Sequence, residues 1–397
     1  MNELSLEEAQ KIILQSQKIL SEQKLKSPLE DTLSNIEHLG YIQIDTISAV
    51  ERAHHHTLWN RNENYQSSHL DTLVENRQVF EYWSHAAAYL PMRDYKYTLI
   101  RKHAIGEGKQ RHWYDKDEVL MSEVLKRIEQ EGPLMAKDFE STKKKSAWAS
   151  KPTKRALEYL FMQGDLMISS RKNFHKVYDL TERVLPSDID TKTPSHEEYI
   201  RFLIISYLRA NGIGQASEIA YLLKNTKTYV SKILKEMESD KELMIVQIKG
   251  TKYYSLPNAI DLLNQSFSKK RVKILSPFDN FLIQRKRMLE LFDFDYKIEC
   301  YLPEAKRKYG YFSLPVLWDG KLVARMDCKA ERKTAIFHIK HLAFETDFSL
   351  SLEFKIAFQK EVELFMTFNA CRKLELHQVT PNLIKKDLQD MAIFPSF

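Results

Sequence analysis

The chain has 397 residues, with 60 lysines and arginines against 54 aspartates and glutamates, a net charge of +6 and 43% hydrophobic residues. That length and apolar content suit two to three domains, each with a core. Cys300, Cys328 and Cys371 are scattered and form no CxxC pair, which excludes a disulfide framework and a thiolate zinc site. The start MNELSLEEAQ lacks a basic, apolar leader and no stretch reaches membrane-span length, so the expected compartment is the cytoplasm, with no membrane partner.

Residues 6–20 carry helical periodicity, and residues 28–39 supply a second helix stopped by Gly40. The run Tyr41 to Asp45 reads as extended, residues 46–60 as a further helix, and 69–90 as two more before the turn at Pro91. A structural repeat follows. Its first copy has helices at 117–131, 134–139 and 151–162 and a β-hairpin at 164–180; its second has helices at 197–209, 216–223 and 228–238 and a hairpin at 242–256. Leu166, Met167 and Ile168 match Leu243, Met244 and Ile245, while Lys176, Tyr178 and Leu180 match Lys252, Tyr254 and Leu256.

Three helices and a two-stranded wing make a winged helix-turn-helix, whose third helix lies in or along a nucleic-acid groove. Those helices offer Lys151, Lys154 and Arg155 in one copy and Lys227, Thr228, Tyr229 and Lys232 in the other. Winged helices also dock proteins, so the fold alone does not decide the partner. A helical signal spans 276–292. The chain then alternates apolar and polar residues around the turn Trp318, Asp319, Gly320, which predicts an antiparallel β domain, a small barrel or curled sheet, closed by a helix at 353–368. The expected class is α+β, mainly helical, with tandem winged helices and a C-terminal antiparallel β-barrel-like domain. The expected divisions are 1–112, 113–190, 191–265 and 266–397.

Cations cluster at Lys143, Lys144, Lys145, Lys151, Lys154 and Arg155, at Lys269, Lys270, Arg271 and Lys273, at Arg285, Lys286 and Arg287, and at Lys306, Arg307 and Lys308. Where cations sit matters more to phosphate binding than their sum, although a solvated helix face explains such clusters equally well.

The chemistry concentrates in LGYIQIDTISAVERAHHHTLWNR, residues 39–61. In an extended backbone Gln43 and Asp45 project from one face while Ile42 and Ile44 turn inward. An amide beside a carboxylate can hold a water and oppose a positive charge. The same spacing also fits Asp45 as a cap on the helix after it. Motifs for nucleotide hydrolysis, dinucleotide binding, zincin metal sites and hydrolase elbows are missing from the sequence. His54, His55 and His56 are consecutive and point in different directions, whereas metal sites want His four apart on a helix or alternating on a strand with a carboxylate. No metal and no nucleotide cofactor are therefore expected. His85, among apolar neighbours, suits a buried imidazole or a place in a cleft.

These blocks, with EYWSHAAAYLPM, KPTKRALEYLFMQGDLMI and SPFDNFLIQRKRMLELF, resemble the bacterial winged-helix DNA glycosylases of the AlkZ and YcaQ (AlkX) type over essentially the whole chain. The resemblance implies three tandem winged helices scaffolding a cationic concave surface beside a β-barrel. It also implies removal of alkylated purines and unhooking of interstrand crosslinks. The family's motif, Gln, an apolar residue, then Gln or Asp, falls on Gln43, Ile44 and Asp45, the Asp-bearing version of the YcaQ branch. A family segment expected to be richer in Trp keeps only Trp148 here.

An N7-alkylated purine is already cationic and leaves readily, so the enzyme must stabilise an oxocarbenium-like sugar and present water. Asp45 would do both, with Gln43 orienting the water. A carboxylate about 4 Å from the developing cation contributes about 4 kcal/mol at an effective dielectric near 20. A crosslinked base is tethered to both strands and resists flipping, which implies an open cleft. Arg52, His54, Arg61, His85, Lys154, Arg155 and Arg325 are the expected DNA-binding residues lining it. Because no lysine stands out as a Schiff-base nucleophile, a monofunctional enzyme is expected, acting as a monomer on duplex DNA. The competing reading is a noncatalytic winged-helix transcriptional regulator, in which Asp45 is only a cap.

Overall fold

Ser27 accepts the N–H of Glu30, Pro28 fills the first turn and Gly40 takes a left-handed conformation, so the helix Pro28–Leu39 begins and ends where its caps dictate. The computed structural model describes residues 2–20, 27–139, 150–265, 270–382 and 388. Lys143, Lys144, Lys145, Trp148 and Lys269 lie outside the described residues, as does the side chain of Lys151. The protein forms two compact units, one of Met1–Leu25, Ile42–Asn64 and Ile204–Phe397 and the other of Lys26–Tyr41 and Tyr65–Leu203.

The second unit contains the first repeat copy. Helices Glu118–Glu131 and Ser150–Gln163 pack over the hairpin Leu166–Lys172 and His175–Leu180 through Val124, Ile128, Leu157, Leu160 and Ile168. The expected helix at 134–139 is a short strand, Leu134–Met135, followed by a 3-10 turn, Ala136–Phe139. Two helices expected within 69–90 are likewise replaced by one helix, Ser67–Glu75, and a hairpin of Val79–Trp83 with Ala87–Pro91. The run VFEYW is rich in aromatic and β-branched residues, so pairing with AAYLP outweighs any helical tendency. Glu81 on this hairpin is buried, and Arg171 of the neighbouring wing meets both its oxygens at 2.8 Å. That bidentate pair ties the two hairpins together.

The first unit contains the second copy from Ile204 onward, and its wing repeats the first in detail. Tyr178 faces Ile168 on one side and Leu134 on the other. Tyr254 faces Ile245 and Gly214 in the same way. The sequence match of Tyr178 to Tyr254 and of Ile168 to Ile245 thus becomes one strand order in both copies: short strand, last strand, first strand. Buried Arg287 donates to the carbonyls of Asn211 and Ile213, which docks the helix Arg285–Phe292 onto this copy. The helix expected over 276–292 is confined to that last stretch, because Ser276 and Asp279 accept the nearby N–H groups of Phe278 and Phe281 and hold 276–284 in turns.

The C-terminal sheet runs in the order Lys273–Ile274, Ser313–Trp318, Lys321–Glu331, Ile336–Phe344, Lys373–Thr380. Its first three pairings are antiparallel, as expected, but the last is parallel, since the helix Leu352–Phe368 carries the chain across before the final strand. No pairing closes the two end strands on each other among the described residues. Asp319 and Gly320 both have positive φ between Trp318 and Lys321, the two-residue hairpin turn that the sequence indicates. No helix among the described residues is long and apolar enough to cross a membrane.

One lysine in the second unit's core is unusual. Lys102 is 2% exposed, with its ammonium 3.9 Å from the ring centre of Tyr95 and 4.8 Å from that of Tyr82. Burial pulls its pKa down to about 7. The folded value lies below the unfolded one of about 10.4, so the unfolded chain holds an extra proton between the two and stability rises with pH across that window. Lys102→Met should melt at a higher temperature than the native chain at pH 7, with the gap narrowing towards pH 9. A methionine variant that melts lower at pH 7 would show that the ring contacts outweigh desolvation.

Candidate active site

Ile42 and Ile44 are buried while Gln43 and Asp45 are partly exposed, so the alternation expected of this run is present around the short strand Ile42–Gln43. Beyond it the expected helix over 46–60 is reduced to Ala53–Trp59. Residues 46–52 make other bonds. Asp45 Oδ1 accepts the Ile47 N–H at 2.7 Å, the Ala49 carbonyl accepts the Ala330 N–H at 2.7 Å, and Asn369 accepts the Glu51 N–H at 2.7 Å. Asp45 therefore turns the chain locally and does not cap the helix, whose N-cap is Arg52.

Partial burial raises the Asp45 pKa above the ordinary aspartate value, opposed by the Ile47 N–H and by the charge of Arg52. The loop from Glu299 to Tyr311 comes close enough to Asp45 for its charge to act there. Burial first and then Asp45 raise the Cys300 pKa; for Tyr301 the upward causes are burial, the Cys300 thiol and then Asp45. Tyr301 is 77% exposed, and Leu302 and Tyr311 are exposed as well. Arg307 lies 5.1 Å from the ring centre of Tyr311. Buried Glu299 accepts the N–H groups of Lys308, Tyr309 and Gly310 at 3.1, 2.8 and 3.1 Å, and Asp327 accepts that of Phe312 at 2.7 Å. The loop is thus ordered from below by carboxylates while Tyr301 and Tyr311 face outward. Sequence reasoning counted Lys306, Arg307 and Lys308 as a basic cluster and passed over Tyr301 and Tyr311, although tyrosines interleaved with cations were the available signal.

The expected DNA-binding residues divide sharply. Lys154 and Arg155 are exposed on the helix Ser150–Gln163, and Arg52 is partly exposed beside Asp45. His85 is partly exposed in the turn between Val79–Trp83 and Ala87–Pro91, edge-on to Tyr41, with its pKa lowered to about 4 by burial. The other three need correction. His54 is buried within Ala53–Trp59. Arg325 is buried, paired with Glu345, donating to the Asp295 carbonyl and lying over the rings of Phe294 and Tyr309. The Arg61 side chain is enclosed completely and bonds both oxygens of Asp279, at 2.8 and 2.9 Å. It also donates to the carbonyls of Gln17 and Thr57 and to the Gln17 side chain, so all five of its N–H groups are used. None of these three side chains presents a donor to a phosphate. Among the histidine triplet, His56 Nε2 meets the Ile274 carbonyl at 2.8 Å, a core role.

Winged copies joined to a β-sheet, with a carboxylate and an amide partly exposed on one short extended run, fit the class of hydrolytic DNA glycosylases, for which DNA is the substrate. The family model described as "DNA glycosylase AlkZ-like" matches residues 36–368, and the chain belongs to that family. Its structure is similar to that of the Streptomyces sahachiroi DNA glycosylase AlkZ, with a TM-score of 0.65 and 16% identity over 95% of this chain and 100% of that one. At such identity the likeness speaks for the fold, and the expected α+β class is borne out. Family membership weighs against the noncatalytic regulator.

Because Arg61 is a core residue, Arg61→Ala should destabilise the protein by about 3–5 kcal/mol, the cost of leaving a buried carboxylate unpaired. Denaturant titration would measure this, and the dependence of DNA binding on salt should keep its slope. A flattened slope in a folded variant would return Arg61 to the DNA-contacting set.

Proposed function

We propose that this glycosylase excises N7-alkylated purines from duplex DNA and unhooks interstrand crosslinks, with Asp45 and Gln43 as its catalytic residues. The observation that most supports this is the pairing of two partly exposed polar side chains on an otherwise buried run, with Asp45 fixed through one oxygen to the Ile47 amide. A carboxylate so held keeps its orientation without reorganising as positive charge develops on the sugar. Gln43 holds the water that Asp45 activates. Since the lesion leaves as a neutral purine, no strong general acid is needed, and no lysine adduct forms in a monofunctional enzyme.

In this reading the Gln-Ile-Asp motif belongs to the YcaQ-like branch. Lys154 and Arg155 hold phosphates, Arg52 sets the electrostatics beside Asp45, and His85, neutral at physiological pH, contacts DNA. Tyr301 and Tyr311 give base or sugar a stacking surface next to the carboxylate, with Arg307 reinforcing the second ring. The four sequence divisions act as three winged modules and a β domain. The protein works as a monomer in the cytoplasm, at the nucleoid.

The test is release of free base from a duplex carrying N7-methylguanine, and strand separation from an N7-linked crosslink. Asp45→Asn should lower excision about a hundredfold or more while duplex affinity stays within about threefold; equal losses would refute the assignment. Asp45 must be ionised to act, so excision falls as pH drops through its folded pKa. Because burial raises that pKa, the acid limb of kcat/KM should have its midpoint above the ordinary value of about 3.9. Tyr301→Ala should weaken binding to lesion-containing duplex about tenfold, and Tyr301→Phe should retain most of it. Equal affinity for the two variants would remove the stacking role.

A further inference from the structure

On the C-terminal sheet, away from the reaction just described in its chemistry, three potential metal ligands converge. His338 on Ile336–Phe344 pairs in parallel register with Glu375 on Lys373–Thr380, and Glu375 and His377 alternate on that strand so that both share a face. His338 Nδ1 is 3.2 Å from His377 Nε2 and 3.0 Å from Glu375 Oε2, while His377 Nε2 is 3.7 Å from Glu375 Oε2. These three atoms form a small triangle. A tetrahedral zinc ion with bonds of about 2.0–2.2 Å spaces its ligand atoms by about 3.4 Å, which those edges straddle. Two imidazole nitrogens at this separation repel through their lone pairs unless a proton or a cation lies between them.

A second observation points the same way. The other ring nitrogen of His338, Nε2, lies 3.5 Å from Glu331 Oε2. A carboxylate behind a ligating imidazole fixes its tautomer and raises its basicity, the usual support for a metal-bound histidine. Side-chain exposures of 18% for His338, 43% for Glu375 and 50% for His377 leave the fourth direction towards solvent, where water can complete the coordination. Two imidazoles and one carboxylate suit zinc and its neighbours rather than magnesium or calcium, which take oxygen ligands.

We propose that His338, Glu375 and His377 bind one divalent transition-metal ion of the zinc type, with Glu331 orienting His338. The ion would clamp the parallel end strand Lys373–Thr380 to its neighbour, which otherwise relies on the weaker ladder of a parallel pair. The sequence carried a signal for it, a carboxylate and a histidine alternating on one strand, but the third ligand stands 37 residues earlier and only the strand pairing supplies it.

The full-length protein, stripped with chelator and dialysed, would be titrated with Zn2+ against a competing indicator while its melting temperature is followed. The proposal expects one ion per chain and a higher melting temperature with Zn2+. His377→Ala, a half-exposed position, should weaken the affinity about a hundredfold or more and abolish the thermal shift, and Glu331→Gln should weaken it about tenfold. Absence of stoichiometric binding by the native chain, or native-like affinity in His377→Ala or His338→Ala, would overturn it.

Discussion

The bidentate pair of Arg61 and Asp279 is the constraint on which the candidate site depends. Arg61 stands just after the helix Ala53–Trp59, and Asp279 sits in the turn that follows the first strand of the C-terminal sheet. Neither side chain is exposed, and a pair removed from water survives only when its geometry and its remaining hydrogen bonds are complete. Here they are complete for the guanidinium, through Gln17 and Thr57. His56 and Asn60 add a second attachment by sharing the Ile274 carbonyl. A segment over 200 residues distant in sequence is thereby fixed against the sheet, and the run bearing Gln43 and Asp45 leads directly into that anchored helix.

Asp45 lies at the balance point of opposing effects. Burial favours its neutral form, whereas the Ile47 amide and the Arg52 charge favour the carboxylate. In the proposed reaction, full exposure would let water screen the carboxylate from a developing sugar cation, and full burial would protonate it. An intermediate position would give a strong field while keeping access to DNA. The loop of Tyr301 and Tyr311 shares this logic: Glu299 beneath it satisfies three backbone amides, which leaves the aromatic side chains to face outward on a fixed base.

The repeated winged copies show how one local design serves two environments. Tyr178 and Tyr254 occupy the same place in the ladder, yet Tyr178 is packed in a core with Phe161, Leu166 and Ile168, whereas Lys252 and Tyr254 stack at a more open wing. The compact units also cross the repeat boundaries, since the first gathers three separate stretches of chain. A modular sequence need not fold as a string of modules when buried pairs such as Arg61 and Asp279 draw distant segments together.

The sequence by itself determined the local elements whose signals are short-range: the capped helix Pro28–Leu39, the two wings, the Asp319 and Gly320 turn, and the outward alternation of Gln43 and Asp45. Its resemblance to a family also carried the class of enzyme. Tertiary structure alone decided the unwinding of residues 46–52, where bonds to Ala330 and Asn369 replace helical ones. It likewise decided the fates of His54, Arg61 and Arg325, basic residues that a linear reading assigns to DNA and that the fold encloses. Periodicity and caps act over a few residues and are written in order along the chain. Whether a cation meets water or a buried carboxylate depends on what packs against it, and that partner can lie anywhere in the sequence.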